Sequence, residues 1–314
     1  MHSETGATNE GVPLAFNRPP DERIADWVGR SMVAYAYDRT GEPVSGLLCN
    51  DAAYLRCAVG VDWRVDTADG RVNVRDQTFL TGQHTKAMPL HYRGGVKVAG
   101  LMLRPGALSA LFGIDDSTLT DRLLPLEQTG IPDREVTGLY NLDLAPAEWL
   151  ARIEGWLADY IEDNAVQPPD PVSLAMELQT FLDPNRSLDE LAEEVGVSRR
   201  TMERIARRDF GMSPKKIMRR ARVLDIAARS CGVADEAEAE DFLLRFFDQA
   251  HLIREFSTFF GTTPHRFIRE RHPLLTLSLE IRQARRLELL DRISPGSVRP
   301  WMRKDFQAPL AKRA

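Results

Sequence analysis

The first half of the chain alternates apolar and polar residues over short runs, which is typical of β-strands that bury one face. Residues 71–75 alternate strictly, and apolar runs at 52–60 and 96–103 are bounded by turn residues. Glycine tolerates positive φ, so Asp69-Gly70 and Gly94-Gly95 predict tight turns. The pattern predicts a β-rich unit over about residues 44–104, preceded by a short helix and a strand within 21–37.

Helical spacing of apolar residues begins after Pro105-Gly106. It predicts a short helix over Ala107–Phe112, another that starts near Ser117, and a long amphipathic helix over Ala147–Asp163 with Pro146 at its first position. The apolar stripe of the long helix needs a partner surface. Two alternatives remain open, namely the β-rich unit and the same helix of a second subunit.

Three prolines in residues 168–171 suppress helix on both sides and predict a linker. Beyond it, helices joined by short turns are predicted as far as Arg271, followed by one helix within 277–293. We therefore predict an α+β multidomain chain. Its expected parts are a flexible tail (1–20), a β-rich domain (21–135), a linker helix and Pro-rich linker (136–171), an all-α domain (172–272), and a C-terminal helix with a basic tail (273–314).

Composition narrows the class of protein. The 314 residues are 43 % hydrophobic, no apolar run approaches the roughly 18 residues that span a bilayer, and the N-terminus lacks signal-peptide features. The three cysteines show no Cys-x-x-Cys spacing, and no phosphate loop, nucleophile motif or carboxylate pair stands out. We expect a cytoplasmic protein with no membrane partner, no metal, no cofactor and no catalytic residue.

Charge is distributed unevenly along the chain. The net charge is −5, yet Arg199 to Arg229 contains eleven basic residues against three acidic ones, a local excess of eight. A local excess of this size is what binding to a polyanion requires.

The basic segment follows a helix-turn-helix pattern. Ser187 with Glu190 three residues later predicts a helix start, and Gly196 supplies a turn that needs positive φ. Ser198 then caps a helix predicted over Arg199–Phe210. Its inward face is Met202, Ile205 and Ala206, and its outward face is Arg199, Arg200, Arg204, Arg207 and Arg208. A helix with such a face fits the major groove of DNA.

An internal repeat at an offset of 50 residues supports a second unit. Phe210-Gly211-Met212-Ser213-Pro214 returns as Phe260-Gly261-Thr262-Thr263-Pro264. Residues 246–256, Phe-Phe-Asp-Gln-Ala-His-Leu-Ile-Arg-Glu-Phe, together with Gly261-Thr262-Thr263-Pro264, resemble the signature of AraC/XylS-type regulators. The resemblance implies two helix-turn-helix units bridged by a helix over Pro214–Arg229, with recognition helices in successive major grooves about 34 Å apart.

The N-terminal half also resembles a known type. Leu80–Thr85 and Val98–Ala107, with Arg104-Pro105-Gly106, are similar to an N-terminal domain found in many AraC-like regulators. The resemblance implies a β-rich sensory or dimerisation domain whose ligand is generally unknown.

Chemistry and the resemblance together assign expected DNA contacts. Arg199, Arg200 and Thr201 are placed for base edges, because they lie in the first turn after the Ser198 cap. Phosphate contacts are expected from Lys215, Lys216, Arg207 and Arg208. In the second unit the candidates are Gln249 and His251, with Asp248 favoured as the N-cap over a cytosine contact. Arg204 and Arg254 have two interpretations, as partners of nearby acids or as base contacts.

Double-stranded DNA is therefore the expected partner, and the expected function is transcriptional regulation. The resemblance to AraC/XylS-type regulators favours activation over repression. RNA polymerase, a small-molecule effector of unknown identity and a second copy of the chain are further expected partners. Two alternatives remain. The acidic segment Asp235–Asp241, and Arg245 where the family has glycine, leave room for a helical adaptor that does not bind specific DNA. The N-terminal domain could also be an enzyme fused to a DNA-binding module.

Overall fold

The computed structural model describes residues 15–37, 42–235, 249–270 and 273–302. Its N-terminal part is one antiparallel sheet with the order β1-β2-β7-β4-β5-β8, and β6 pairs with both β4 and β3. The strands are β1 (Phe16–Arg18), β2 (Val28–Tyr37), β3 (Val44–Leu48), β4 (Tyr54–Thr67), β5 (Gly70–Thr81), β6 (Met88–Tyr92), β7 (Gly95–Leu103) and β8 (Leu123–Pro125).

Helices dominate the rest of the described chain. Short 3-10 turns lie at Glu22–Ile24, Leu126–Thr129 and Pro300–Met302. The α-helices are α1 (Ala107–Phe112), α2 (Asp116–Leu119), α3 (Arg134–Thr137), α4 (Pro146–Asp163), α5 (Pro171–Leu182), α6 (Leu188–Glu194), α7 (Arg199–Phe210), α8 (Pro214–Ser230), α9 (Gln249–Phe260), α10 (Pro264–Arg269) and α11 (Pro273–Leu289). The predicted fold class, a β-rich N-terminal part followed by an all-α part, is confirmed.

Both tight turns lie where the dipeptides predict them. Gly70, with a φ of 110°, begins β5 directly after the β4 strand, and Gly94, with a φ of 74°, connects β6 to β7. The predicted helix near Ser117 starts one residue earlier, at Asp116, with Asp115 in the N-cap position. Ser117 is therefore inside this helix and does not cap it.

Alternation along the strands gives the sheet two buried faces. In β4, Leu55, Cys57 and Val59 pack on one side, whereas Tyr54 and Ala58 pack on the other. The first side is covered by α4, whose Trp149, Leu150, Ile153 and Leu157 are buried against it. Two partners were considered for the apolar stripe of α4. In the structure, the stripe packs against the β-rich unit.

The second side of the sheet is covered by α11, which contacts β2, β3 and α8. Leu274, Leu275 and Ile281 of α11 belong to the same core as Met32 and Trp63 of the sheet. The helix predicted within 277–293 thus starts earlier and ends at Leu289, where Asp291 adopts a left-handed φ of 53°. Residues of α8 and α9 also enter this core, so the helix-turn-helix region packs directly on the sheet.

Candidate nucleic-acid interface

The first helix-turn-helix unit consists of α6, a turn at Gly196 and α7. Ser187 Oγ accepts a hydrogen bond from Asp189 N (3.2 Å), and Ser198 Oγ accepts one from Thr201 N (3.1 Å), so a serine caps each helix. Gly196 has a φ of 71°, which residues with a side chain rarely adopt. These local signals place α7 over the residues predicted from the sequence.

The inward side of α7 fixes its orientation. Met202, Ala206 and Phe210 are buried in a cluster with Met176 of α5 and Ile217 of α8, and Leu191 and Ala192 of α6 complete it. Apolar contacts on this side leave the opposite side of α7 exposed, because a helix places positions three and four apart on one face.

The exposed side carries an unpaired basic stripe. Arg200, Arg204 and Arg207 are exposed, and no acidic partner is found for them among the residues that the structure describes. They are four and three residues apart, so they share one face and extend over about 10 Å of helix. Arg204 had two interpretations, as a partner of nearby acids or as a base contact. Within the described residues, the structure does not show the first of these. Lys215 and Lys216, at the start of α8, are exposed as well.

Arg199 is exposed but engaged in ion pairs. Its Nη1 lies 3.0 Å from Asp189 Oδ2, and its Nε lies 3.2 Å from Glu203 Oε1. These hydrogen bonds raise the pKa of Arg199. A base contact by Arg199 must therefore replace these two bonds, whereas Arg200 has no such competition within the described chain.

Replacing Asp189 with asparagine is expected to strengthen DNA binding by about two- to fivefold, because exposed ion pairs contribute up to about 1 kcal/mol. The substitution weakens the bond between Asp189 and the Nη1 group of Arg199, so that this group can contact DNA in the major groove. Fluorescence anisotropy of a labelled duplex would measure the affinity. Glu193→Gln is the matched control, since it removes the same charge from the exposed side of α6. Equal gains in the two variants would show that the Asp189–Arg199 pair has no effect of its own.

The remaining predicted bases differ in their accessibility. Arg208, expected at a phosphate, donates from Nε to Asp209 Oδ1 (2.5 Å) and from Nη2 to Asp170 Oδ2 (3.4 Å). It is half-buried at the edge of the first unit, and these bonds raise its pKa. The guanidinium of Arg208 therefore already has two carboxylate partners, and the phosphate contact predicted for it would have to replace them.

Two more bases of the segment, Arg219 and Arg220, also have protein partners. Arg219 pairs with Glu255 (2.5 Å), and Arg220 is buried. The number of basic residues that are accessible is thus smaller than the local excess of eight positive charges suggests.

The second unit repeats the geometry of the first where the structure describes it. Gly211 and Gly261 both have a φ of 68°, and Pro214 and Pro264 each begin the next helix. Phe256, Phe260 and Phe267 form a buried aromatic core with ring centroids 4.7–5.1 Å apart.

The second unit's predicted contacts are only partly within the described chain. Asp248 lies outside the described residues, as do Glu236–Asp241 and Arg245. Gln249 and His251 belong to the backbone of α9, but their side chains are also outside the description. Arg254 is exposed on α9.

The C-terminal end of α7 is hydrogen-bonded to the β-rich unit. Gln83 Nε2 donates to the backbone oxygen of Asp209 (3.1 Å) and to Asp116 Oδ1 (3.4 Å). Asp209 is fully buried and also accepts a hydrogen bond from Ser173 (2.5 Å). Burial and the nearby Asp209 carboxylate raise the pKa of Asp116 well above its usual value. The position of α7 is thus determined partly by the N-terminal part of the chain.

Arg220 makes the second link between the two parts, and this link was not predicted from the sequence. Its Nη2 donates to Asp51 O (2.9 Å) and Gln83 Oε1 (2.7 Å), and its Nη1 donates to His84 O (3.2 Å). A signal was present in the sequence, because Arg220 shares the inward face of α8 with Ile217 and Leu224, which are three positions before and four after it.

In the described ranges, no group of three or more His, Cys, Asp or Glu side chains is arranged to hold a metal ion. His84 is buried beside Asn50, and burial lowers its pKa to about 4. Among the described helices, none has the length and apolar character needed to cross a bilayer.

Comparison with known families supports the assignment made from geometry. Residues 191–271 match a helix-turn-helix domain family. The chain carries an AraC-type helix-turn-helix domain. Residues 57–125 match a domain of unknown function, DUF6597, within the β-rich part that precedes this AraC-type domain. The chain thus combines an AraC-type helix-turn-helix domain with a preceding domain of unknown function.

The chain is less similar to solved structures than to these two domain families. Fatty-acid-bound ToxT from Vibrio cholerae is 9 % identical, covers 76 % of this chain and 94 % of its own, and has a TM-score of 0.43. The C-terminal domain of AraT, a response regulator from Geobacillus stearothermophilus, is 19 % identical over 32 % of this chain and 84 % of its own, with a TM-score of 0.28. CuxR, an AraC-like activator, is 14 % identical over 67 % and 86 %, with a TM-score of 0.27. No curated protein sequence matches the chain significantly. With such low TM-scores, the assignment rests on the domain match and on the first unit's geometry.

Proposed function

We propose that the chain binds specific sites in double-stranded DNA by placing α7 in the major groove. The observation that carries the proposal is the unpaired stripe of Arg200, Arg204 and Arg207 on a helix that is capped at its start and packed along its inward side. Guanidinium groups on such a face bond guanine O6 and N7 or backbone phosphates.

The contacts are divided by position. Arg200 and Thr201 lie in the first turn of α7, where helix-turn-helix proteins contact base edges, and Arg199 joins them when it leaves its acidic partners. Lys215, Lys216 and Arg207 bind phosphates and set the register. Gln249, His251 and Arg254 are the candidates of the second unit, which binds the following groove. We assign no catalytic residue.

The N-terminal β-rich part modulates this binding. Support comes from the contacts that Gln83 makes with α7 and from those that Arg220 of α8 makes with residues 51, 83 and 84. A small effector or a protein partner that changes the β-rich part would change how both units are presented. We propose that the chain acts in the cytoplasm on chromosomal DNA, as a homodimer that contacts RNA polymerase.

Selection of binding sites from a genomic fragment library in about 100 mM salt tests the proposal. We expect a defined site to be enriched, with affinity at least about a thousandfold above that for random DNA. Affinity equal to that for random DNA would contradict specific regulation and favour the helical-adaptor alternative.

Two substitutions are expected to separate base contacts from phosphate contacts. Arg200→Ala should cost about 1–3 kcal/mol on the selected site and relax the base preference at one position. Lys215→Ala should weaken binding to all sequences similarly and reduce the salt slope by about one. Competition titrations at several salt concentrations measure both effects. An identical loss on specific and random DNA for Arg200→Ala would show that it contacts phosphate.

A further inference from the structure

One loop of the β-rich part contacts both helix-turn-helix units. It consists of residues 82–87, which connect β5 to β6, and we call it the bridging loop. Near its start, Gln83 Nε2 donates a hydrogen bond to the backbone oxygen of Asp209 in α7 (3.1 Å). At its end, the backbone N–H of Ala87 donates to the backbone oxygen of Phe259 in α9 (2.9 Å). The bridging loop thus extends from the first unit to the second.

Both acceptors occupy the same position of the internal repeat. Asp209 and Phe259 are 50 residues apart, which is the repeat offset, and each is the last residue but one of its helix. The last four carbonyl groups of an α-helix have no partner within the helix. In each unit the glycine after the helix bonds the carbonyl two positions before the acceptor, so the bridging loop bonds a carbonyl that this cap does not use. The loop therefore holds the two units at equivalent points.

The bridging loop is itself bonded to the rest of the β-rich part. The backbone N–H of His84 donates to the backbone oxygen of Asn50 (2.7 Å), and that of Thr85 donates to Asp121 Oδ1 (2.8 Å). The N–H of Asp121 in turn donates to the backbone oxygen of Gln83 (3.1 Å). Because these bonds fix the loop from its other side, its two ends stay at a constant distance from each other.

Two supports hold the units relative to each other. The first is the contact of α8 with α9, which includes the ion pair of Arg219 with Glu255 (2.5 Å). The second is the bridging loop, across a cleft of about 260 Å³ that is lined by Lys216 of α8, Thr258 of α9 and Thr85 of the loop. A single contact region permits one unit to rotate about it, whereas a second support across the cleft opposes that rotation.

We propose that the bridging loop fixes the separation of α7 and α9, so that the chain accepts only one spacing between the two halves of its DNA site. This inference rests on the proposed function, in which the two helices enter successive major grooves. One added base pair moves the second half of the site by about 3.4 Å and rotates it by about 35°. Units that are held at two points cannot follow this change without breaking bonds of the loop. Gln83 and Ala87 are thus positioning residues, which act on DNA recognition through the two helices.

Binding to spacing variants of the selected DNA site tests the inference. One base pair is inserted or deleted between the half that α7 contacts and the half that α9 contacts. Wild type should lose affinity by about 10–100-fold for each change. Gln83→Met keeps the length of the side chain and removes its hydrogen-bonding groups. Its loss should be about 3–10-fold smaller, because one hydrogen bond contributes a factor of that size.

Two further variants complete this test. Gln128→Met is the matched control, since it makes the same substitution at an exposed glutamine of the β-rich part, and its spacing loss should equal that of wild type. Insertion of two glycines between Thr85 and Lys86, which are exposed, lengthens the bridging loop and removes no buried group. This insertion should reduce the spacing loss as well, and it replaces Gln83→Met if that variant does not fold.

A distance measured without DNA separates the inference from the proposed function. Spin labels are attached at Glu193→Cys of α6 and Ile268→Cys of α10, which are both exposed. Cys231→Ser completes the background, because the other two cysteines are buried. Pulsed electron paramagnetic resonance should give one narrow distance with the wild-type loop. Gln83→Met and the glycine insertion should each give a broader distribution.

Either of two results would overturn the inference. One is a distance distribution of the same width with the wild-type loop and with both altered loops, and the other is an equal spacing loss in all of them. If the chain selects a DNA site and one of these results is found, the regulator remains and the role of the loop is removed. If the distribution broadens in the loop variants of a chain that selects no DNA site, the bridge remains and specific regulation is removed.

Discussion

A chain that ends after residue 272 is expected to lose the folded state of the whole molecule, although it keeps the β-rich part and the complete helix-turn-helix domain. It lacks α11, whose Leu274, Leu275, Leu279, Ile281 and Leu287 are at most 5 % exposed. Burial of each such side chain contributes about 1.5–3 kcal/mol, so five approach the total stability of a domain, about 5–15 kcal/mol. Far-ultraviolet circular dichroism and urea unfolding measure the loss.

Single substitutions provide a graded form of the same prediction. Leu275→Ala should lower the free energy of unfolding by about 2–5 kcal/mol, because Leu275 is fully buried between the sheet and α8. Val298→Ala is the control, since Val298 lies further along the same C-terminal segment and is 60 % exposed; its cost should be within about 0.5 kcal/mol. Cooperative unfolding of the truncated chain at the wild-type urea concentration would contradict the prediction.

The first helix-turn-helix unit could be predicted from sequence because its signals are local. Ser198 and Gly211 mark the start and end of α7 through bonds within one helical turn, and the structure gives α7 the predicted bounds. Gly211 has a second role that the local sequence does not predict. A Cβ at this position would lie 2.8 Å from the backbone oxygen of Asp116, so the glycine also permits close packing against the β-rich part.

The partners of the basic residues could not be predicted, because they are distant in sequence. Arg208 meets Asp170 across 38 positions, and Arg220 meets Asp51 across 169. A charge count includes both in the basic segment, and only Arg208 was predicted to contact DNA, whereas in the fold both join parts that are distant in sequence. The same limit applies to α11: its apolar residues predict a helix, but only the three-dimensional structure shows that its partner is the face of the sheet opposite α4.

Replacing Arg220 with leucine is expected to lower the free energy of unfolding by about 2–5 kcal/mol, because it leaves two buried acceptors and one partly buried acceptor without their donor. These acceptors are the backbone oxygens of Asp51 and His84 and the side-chain oxygen of Gln83. Leucine preserves the helix and most of the buried volume, so the loss measures the polar link between α8 and the β-rich part. Urea unfolding gives its size, and hydrogen exchange should accelerate at amides of residues 83–87.

Arg219→Leu is the matched control for this link, because it makes the same change one position earlier in α8. Arg219 is 42 % exposed and pairs with Glu255, which keeps Arg222 at 3.5 Å when Arg219 is removed. Its cost should therefore stay within about 1 kcal/mol, and exchange at residues 83–87 should not change. Equal losses for the two variants would mean that the hydrogen bonds of Arg220 do not hold α8 to the β-rich part. A larger loss for Arg220→Leu, with faster exchange across the junction, would show that one side chain couples the N-terminal part to α8, the helix that joins the two helix-turn-helix units.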